Sequence, residues 1–209
     1  MFRILSTLAL TLLLISPSAW ADHHEDTKKA HKKDADFAQY NINLAGSLFG
    51  PSANFGYNIS KKTMFVFAMG MFSGDAPFKP EIGGTEYSMS GSASWMGFFV
   101  NHRPVKTAPW FRLVAGLGIG NIDNELEDSD GNTYSAVYSE NPVGYMGLGF
   151  GTEAKKGFLW GFDIGVLQTG GATVVKTGGM GTDQTSEIKE SWMFGTLLPN
   201  IQVSLGWGF

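Results

Sequence analysis

The sequence predicts an all-β fold, an eight-stranded antiparallel up-and-down barrel whose strands cross a membrane. Segments with period-two alternation recur from Phe37 to Phe209, and one face of many of them consists of glycine and serine. The breaks between segments alternate between short basic ones and long polar ones. Composition agrees with this class, because glycine (28) and aromatic residues (13%) are frequent while charged residues make up 16%.

Residues 1–21 are predicted to be a signal peptide. Arg3 precedes an apolar run, and Ala19-Trp20-Ala21 supplies the small residues of a cleavage site. A membrane anchor is the alternative, but the run is short and ends in Ser-Pro-Ser. Residues 22–36 contain no apolar residue larger than alanine, which predicts a disordered tail. The barrel is then expected over residues 37–209, where no run approaches the 18 apolar residues of a spanning helix.

The alternating segments indicate that the large side chains face outward. A face of glycine, serine and an occasional charge cannot form the core of a sandwich, so the opposite face must meet an apolar surrounding. In the segment 87–100 this rule places Trp95 and Phe99 on the outer face, and Phe98 is counted among the larger lumen residues. A soluble β-sandwich remains the alternative, although the glycine faces supply no core for it.

The breaks orient the predicted barrel. Short turns at 60–63, 101–109 and 153–157 contrast with long polar loops at 73–86, 121–139 and 168–190, as in outer-membrane barrels. Aromatic residues near the short turns predict one interfacial girdle; a second is predicted from Phe72, Tyr87, Tyr138 and Trp192. The acidic segment 124–132 suggests a loop in water rather than a Ca²⁺ site, because one loop offers too few ligands.

Strand number depends on two changes of apolar parity, each beside a proline. The change at 50–52, with Pro51, is interpreted as a turn, which gives eight strands. The change at 198–200, with Pro199, is interpreted as a bulge in a long last strand. Because proline removes a ladder donor, Pro51 and Pro199 are also candidates for a weak seam that admits a lipid or an apolar solute. Ordinary bulging that sets curvature is the alternative.

The chain ends in NIQVSLGWGF, with apolar residues at every second place. In this pattern the chain resembles small bacterial outer-membrane barrel proteins of the OmpA-barrel, OmpW-like and NspA-like kind. The resemblance implies a Gram-negative outer membrane, with lipid and lipopolysaccharide as surroundings. It also implies that Leu205, Trp207 and Phe209 form the signal that the barrel-assembly machinery reads.

Three charged residues are predicted to face the lumen: Arg112, Asp163 and Glu153. One hypothesis is a charge cluster that sets ion selectivity. The favoured alternative is a buried ion pair that plugs the barrel, since eight strands enclose just enough room for side chains. Glycines at inward positions leave space for the arginine.

Few residues suggest chemistry. Cleavage after Ala21 would place His23 and His24 at positions two and three of the mature chain, an arrangement that can bind Cu²⁺ or Ni²⁺; a solvated tail is the alternative. His102 is predicted in a short turn on the side opposite to the lipid-A leaflet, so an acyl-transfer site is not expected. No cofactor is expected, and a net charge of −4 excludes a nucleic-acid footprint.

The predicted function is non-enzymatic, a structural or surface-interaction role carried by the loops. The alternative is a narrow channel or lateral carrier for a small or apolar solute. A lipid-A-modifying enzyme ranks last.

Overall fold

The computed structural model describes residues 36–76, 78–139 and 142–209. These residues form eleven strands and one short helix: β1 (Tyr40–Ser47), β2 (Gly50–Asn58), β3 (Thr63–Asp75), β4 (Glu81–Ile82), β5 (Thr85–His102), β6 (Phe111–Asp128), β7 (Thr133–Tyr138), β8 (Val143–Gly151), β9 (Gly157–Gln168), β10 (Thr173–Gly178), α1 (Thr185–Glu190) and β11 (Leu197–Gly208). The predicted signal peptide and nearly all of the predicted tail lie outside the described residues. Within the described ranges, no helix has the length and hydropathy to cross a membrane.

Eight of the strands close a ring. Each of β1, β2, β3, β5, β6, β8, β9 and β11 pairs antiparallel with the next, and β11 pairs with β1. An all-β antiparallel sheet with ring-like closure through eight strands is therefore confirmed, although the described sheet as a whole has eleven. The first turn lies at residues 48–49, just before the predicted position, because Gly50 adopts φ 90° and Pro51 already belongs to β2.

The register of the ring sets the tilt of its strands. Partners followed from Asn41 through β2, β3, β5, β6, β8 and β9 lead to Leu198 on β11. Leu198 lies four residues before Gln202, whose partner on β1 is Ser47. If β1 continued in this register, Leu198 would therefore lie opposite position 51, four residues beyond Ser47. Position 51 is ten residues from Asn41, where the path began, so the register shifts by about ten residues in one circuit of the ring. Such a stagger requires strands to tilt, typically by about 35–45° in barrels.

The outer wall is apolar, as the alternation predicts. Exposed side chains alternate along every strand of the ring, and the aromatic ones cluster near the short turns: Phe65, Trp110, Phe158, Trp160, Trp207 and Phe209. Towards the other end, the outward residues of β5 and β6 become polar, at Ser92, Ser94, Asn121 and Asp123. The apolar band therefore ends below the long connections.

One face assignment is wrong. On β5 the outward residue is Phe98, which is 69% exposed, whereas Trp95 and Phe99 point into the lumen. Each inward ring lies over a glycine that is its neighbour in the sheet: Trp95 over Gly70 and Phe99 over Gly116. A Cβ on Gly70 would come within 2.6 Å of the indole, so glycine in the next strand creates the space that the sequence pattern alone did not assign.

The predicted polar loops instead build a folded cap over one end of the ring. The upper part of β6 pairs with β7, and β7 pairs with β10. The cap encloses its own apolar core, formed by Ile82, Tyr87, Leu126, Tyr134, Ala136, Tyr138, Ala172, Val174, Ile188, Phe194 and Leu198. The prediction that Tyr87 and Tyr138 mark a girdle is therefore wrong, because both rings are buried in this core.

The cap also explains the second parity change. The register between β11 and β9 runs without a shift from Leu197 to Gly208, so the predicted bulge at Pro199 is absent. Leu198 points inward because it belongs to the cap core, while Leu197 and Ile201 remain exposed. Apolar parity changes here because the strand passes from the cap core to the exposed apolar wall of the barrel.

Candidate functional site

The lumen contains a buried ion pair between Arg112 on β6 and Asp163 on β9. The arginine donates from Nε to Oδ1 at 3.1 Å, and from Nη2 to Oδ1 and Oδ2 at 2.9 Å each. Both residues are buried, at 7% and 6% exposure. This arrangement occupies both carboxylate oxygens and fixes the guanidinium in one orientation.

Glycine on the intervening strand makes the pair possible. Gly149 on β8 is the register partner of both Arg112 and Asp163, so the two side chains meet above a residue without a Cβ. A Cβ there would overlap Asp163 Oδ1 and lie 2.5 Å from Arg112 Nε. On β9, a Cβ on Gly161 would lie 2.7 Å from Arg112 Nη2. Inward glycines therefore leave space for the arginine, as the sequence pattern predicts.

A cavity of about 160 Å³ lies along the lumen. At the cap end it is lined by Phe49, Trp95 and Tyr138. The Trp95 indole donates to the Phe49 carbonyl at 3.3 Å, which holds the β1–β2 turn against the inner wall. The cap core packs against Phe49 from the other side. The cavity is therefore narrow and covered at its cap end.

Asparagines line the half of the lumen nearer the short turns. Asn41, Asn54, Asn58 and Asn101 are buried, and Asn41 accepts a hydrogen bond from Asn43 at 2.6 Å. The side-chain oxygens of Asn58 and Asn101 have no partner among the described residues. The charged residues that line the cavity are Arg103, Arg112, Glu153 and Asp163.

Comparison with solved structures shows what the geometry resembles. Two crystal structures from Acinetobacter baumannii match over most of their length. CarO matches with a TM-score of 0.63 at 15% identity, covering 82% of this chain and 98% of CarO. CarO2 gives 0.64 at 14% identity, covering 83% and 99%. The chain has the fold of an outer-membrane β-barrel. No protein-family model matches the sequence, and neither does any curated protein.

Arg103, which immediately follows β5, is a lumen residue that the sequence pattern did not predict. The residue is 5% exposed and lines the barrel cavity. Burial lowers the pKa of Arg103 to about 10, and the positive charge of Arg112 acts in the same direction. The arginine therefore remains charged at neutral pH. Its parity was a usable signal, because Arg103 lies two residues after the inward-facing Asn101.

Glu153 does not belong to the ion pair. It lies in the short connection between β8 and β9, is exposed, and contributes to the cavity lining at the turn end of the barrel. The seam candidates are also separated. Pro51 is exposed at the start of β2, whereas Pro199 pairs with Val166 of β9, beyond the last β1–β11 pair.

The other residues considered in the sequence lie on the outer wall, at the end of β5 or outside the described residues. Leu205, Trp207 and Phe209 face outward, each more than half exposed. His23 and His24 lie outside the described residues. The ring of His102 shares a 2.9 Å hydrogen bond with Thr63 Oγ1 at the end of β5.

The acidic segment 124–132 is mostly strand, not loop, since β6 extends to Asp128. The Asp128 carboxylate accepts bonds from the backbone N–H of Asp130 and of Asn132 and from the Asn132 amide, at 2.8–2.9 Å. It therefore closes the turn to β7. Throughout the described part of the chain, no group of three acidic or histidine side chains is placed to hold a metal ion.

Proposed function

We propose that the chain is an integral protein of a Gram-negative outer membrane, an eight-stranded up-and-down barrel with a surface role. The exposed apolar wall of alternate side chains supports insertion in lipid, and lipopolysaccharide would surround the polar rim near Ser92 and Asn121. The exposed terminal strand, with Leu205, Trp207 and Phe209, is the proposed contact for the barrel-assembly machinery. We propose no enzymatic activity for the barrel.

The folded cap carries the surface proposal. Fully buried tyrosines, Tyr87 and Tyr134, pack edge to face at 6.0 Å within it. The Tyr134 hydroxyl donates to the Thr182 carbonyl at 3.1 Å, and the Tyr138 hydroxyl donates to the Met193 carbonyl at 3.1 Å. These bonds tie the connection between β10 and β11 to β7. A rigid cap presents a fixed surface to partners, unlike a set of mobile loops.

The first experiment is single-channel recording with the chain refolded in a planar lipid bilayer. Because the Arg112–Asp163 pair occupies part of a lumen whose cavity is only about 160 Å³ and the cap covers its end, we expect no conductance steps at moderate voltage. Insertion is verified in the same preparation by the heat-dependent mobility of the folded barrel on gels. Discrete, reproducible steps from the folded protein would overturn the closed-lumen proposal and make the ion pair a selectivity filter.

A second function, lateral carriage of a small apolar solute, is favoured by a gap in the wall. The β1–β11 pairing ends at Ser47 and Gln202, so Leu197–Ile201 of β11 has no partner on its β1 side. Beside β2, pairing with β3 begins only at Ser52, after Pro51. The short β1–β2 turn thus stands between two longer strands, and Phe49 fills the inner side of the gap.

A disulfide tests lateral carriage directly, because the chain contains no cysteine. The pair Leu48→Cys with Ile201→Cys would join the strands one step beyond their last register partners. In cells carrying the protein, we expect the oxidised variant to slow uptake of N-phenylnaphthylamine to the rate of cells without the protein. Ala45→Cys with Ser204→Cys, inside the paired region, is the matched control. Uptake that is independent of the protein would exclude this function.

A further inference from the structure

Two arginines in the lumen share one buried carboxylate. His102 pairs with Leu113 at the end of the β5–β6 ladder, so Arg103 and Arg112 occupy the next positions on the two adjoining segments. Like charges at such cross-strand positions are unfavourable. Both oxygens of the Asp163 carboxylate accept hydrogen bonds from Arg112, whereas Arg103 donates to backbone carbonyls. The buried lumen thus carries one positive charge in excess.

Arg103 is held in place by neutral groups. Its Nε donates to the Pro109 carbonyl and its Nη2 to the Thr152 carbonyl, both at 2.9 Å. These bonds fix the guanidinium plane but bring no negative charge. Nη1 is buried and has no hydrogen-bond partner within the described part of the chain. Among the described residues no carboxylate forms an ion pair with Arg103, and a buried charge without one is costly.

We propose that the turn end of the lumen binds a small oxyanion, a carboxylate or a phosphate, at the Arg103 guanidinium beside Arg112. The guanidinium is pre-oriented by its two carbonyl bonds, so little side-chain entropy is lost on binding. This site adds to the proposed surface role and does not depend on it.

Space and neighbouring polarity suit such a ligand. The cavity of about 160 Å³ is several times the roughly 30 Å³ that a water molecule occupies in the liquid. Asn101, two residues before Arg103 on the same face, has an unpartnered amide oxygen. Rotation of that amide by 180° would present N–H donors instead. Glu153, the other acidic residue of the lining, is exposed at the turn end, and its negative charge favours the charged form of Arg103.

The sequence provides an unusually simple assay. It has three arginines, Arg3, Arg103 and Arg112, so ¹⁵N-arginine labelling of the full refolded chain gives at most three Nε–H signals. We expect titration with sodium acetate or sodium phosphate to shift the Arg103 signal saturably, with half-saturation in the millimolar range. Sodium chloride at matched ionic strength should leave it in place. Saturation by acetate alone identifies a carboxylate site, and by phosphate alone a phosphate site.

Two variants distinguish binding of the anion from general screening of charges by salt. In Arg103→Gln neither anion should shift the remaining Arg112 signal saturably, whereas Lys156→Gln, which removes an exposed charge at the same end of the barrel, should behave as the parent chain. The decisive measurement, the saturable shift of the Arg103 signal, is made on the unmodified chain, so it remains valid even if Arg103→Gln folds poorly. A shift of Arg103 that grows linearly with both anions and with chloride, in parallel with Arg3, would overturn the proposal.

Discussion

Replacing Asp163 with asparagine is expected to lower the free energy of unfolding of the barrel by about 3–5 kcal/mol, the usual cost of removing one partner from a buried ion pair. The change leaves Arg112 as an uncompensated charge at 7% exposure. It also leaves Arg103 and Arg112 as adjacent cations with no buried carboxylate between them. Urea titration of the folded barrel in lipid vesicles, followed by tryptophan fluorescence, measures the loss.

Two control variants show whether the loss of stability comes from the unpaired charge or from packing. Asp123→Asn removes an exposed carboxylate from β6 and should change stability by less than about 0.5 kcal/mol. The double variant Arg112→Met with Asp163→Leu replaces the pair with apolar groups and should recover most of the loss, because such exchanges are often neutral. Equal destabilisation by the single and double variants would show that packing, rather than charge, is responsible.

Gly149→Ala is expected to cost about 1–3 kcal/mol by overpacking alone, and more if the new methyl group forces the ion pair apart. The Cβ would overlap Asp163 Oδ1 and approach Arg112 Nε and Cγ. Backbone positions on both neighbouring strands are fixed by the ladder, so the strain must be relieved by moving the charged side chains. The same urea titration measures the effect.

Gly144→Ala is the matched control, on the same strand. A Cβ at Gly144 would meet no atom within 4 Å, so the substitution should be neutral or stabilise by about 0.4–1 kcal/mol through the unfolded chain. The contrast between the two glycines isolates the lumen contact from any general effect of glycine on strand stability. Similar losses at both positions would contradict a specific role for Gly149.

The outward-facing side chains of the barrel could be predicted from the sequence, because their alternation is visible within each single strand. Lipid requires an apolar side chain at every second position, so the alternation of Leu205, Trp207 and Phe209 is visible without knowing any partner strand. The orientation of the lumen residues depends instead on the neighbouring strands. Whether Trp95 or Phe98 turns inward depends on which residue of β3 lies beside it, and Gly70 is known as that neighbour only from the register.

The cap escaped prediction for a related reason. Its core is assembled from short segments far apart in sequence, such as Ile82, Leu126 and Ile188, none of which has a long periodic pattern. Their polar surroundings suggested loops in water. Arg112 and Asp163 were predicted as a plug from parity and lumen width. Arg103 does lie in the predicted turn 101–109, just beyond β5, and only its burial in the folded barrel shows that it faces the lumen.

Closure of the ring has a kinetic consequence. The ladder that begins at Asn41 and Gly208 joins β1 to β11, the first and last strands of the ring. It can form only after each of these two strands has paired with its other neighbour in the sheet. Contacts of such long sequence separation are slow to form. Until then, β1 and β11 are open edges with apolar faces, the arrangement most prone to recruit another chain. Productive folding therefore depends on shielding these two edges until they find each other.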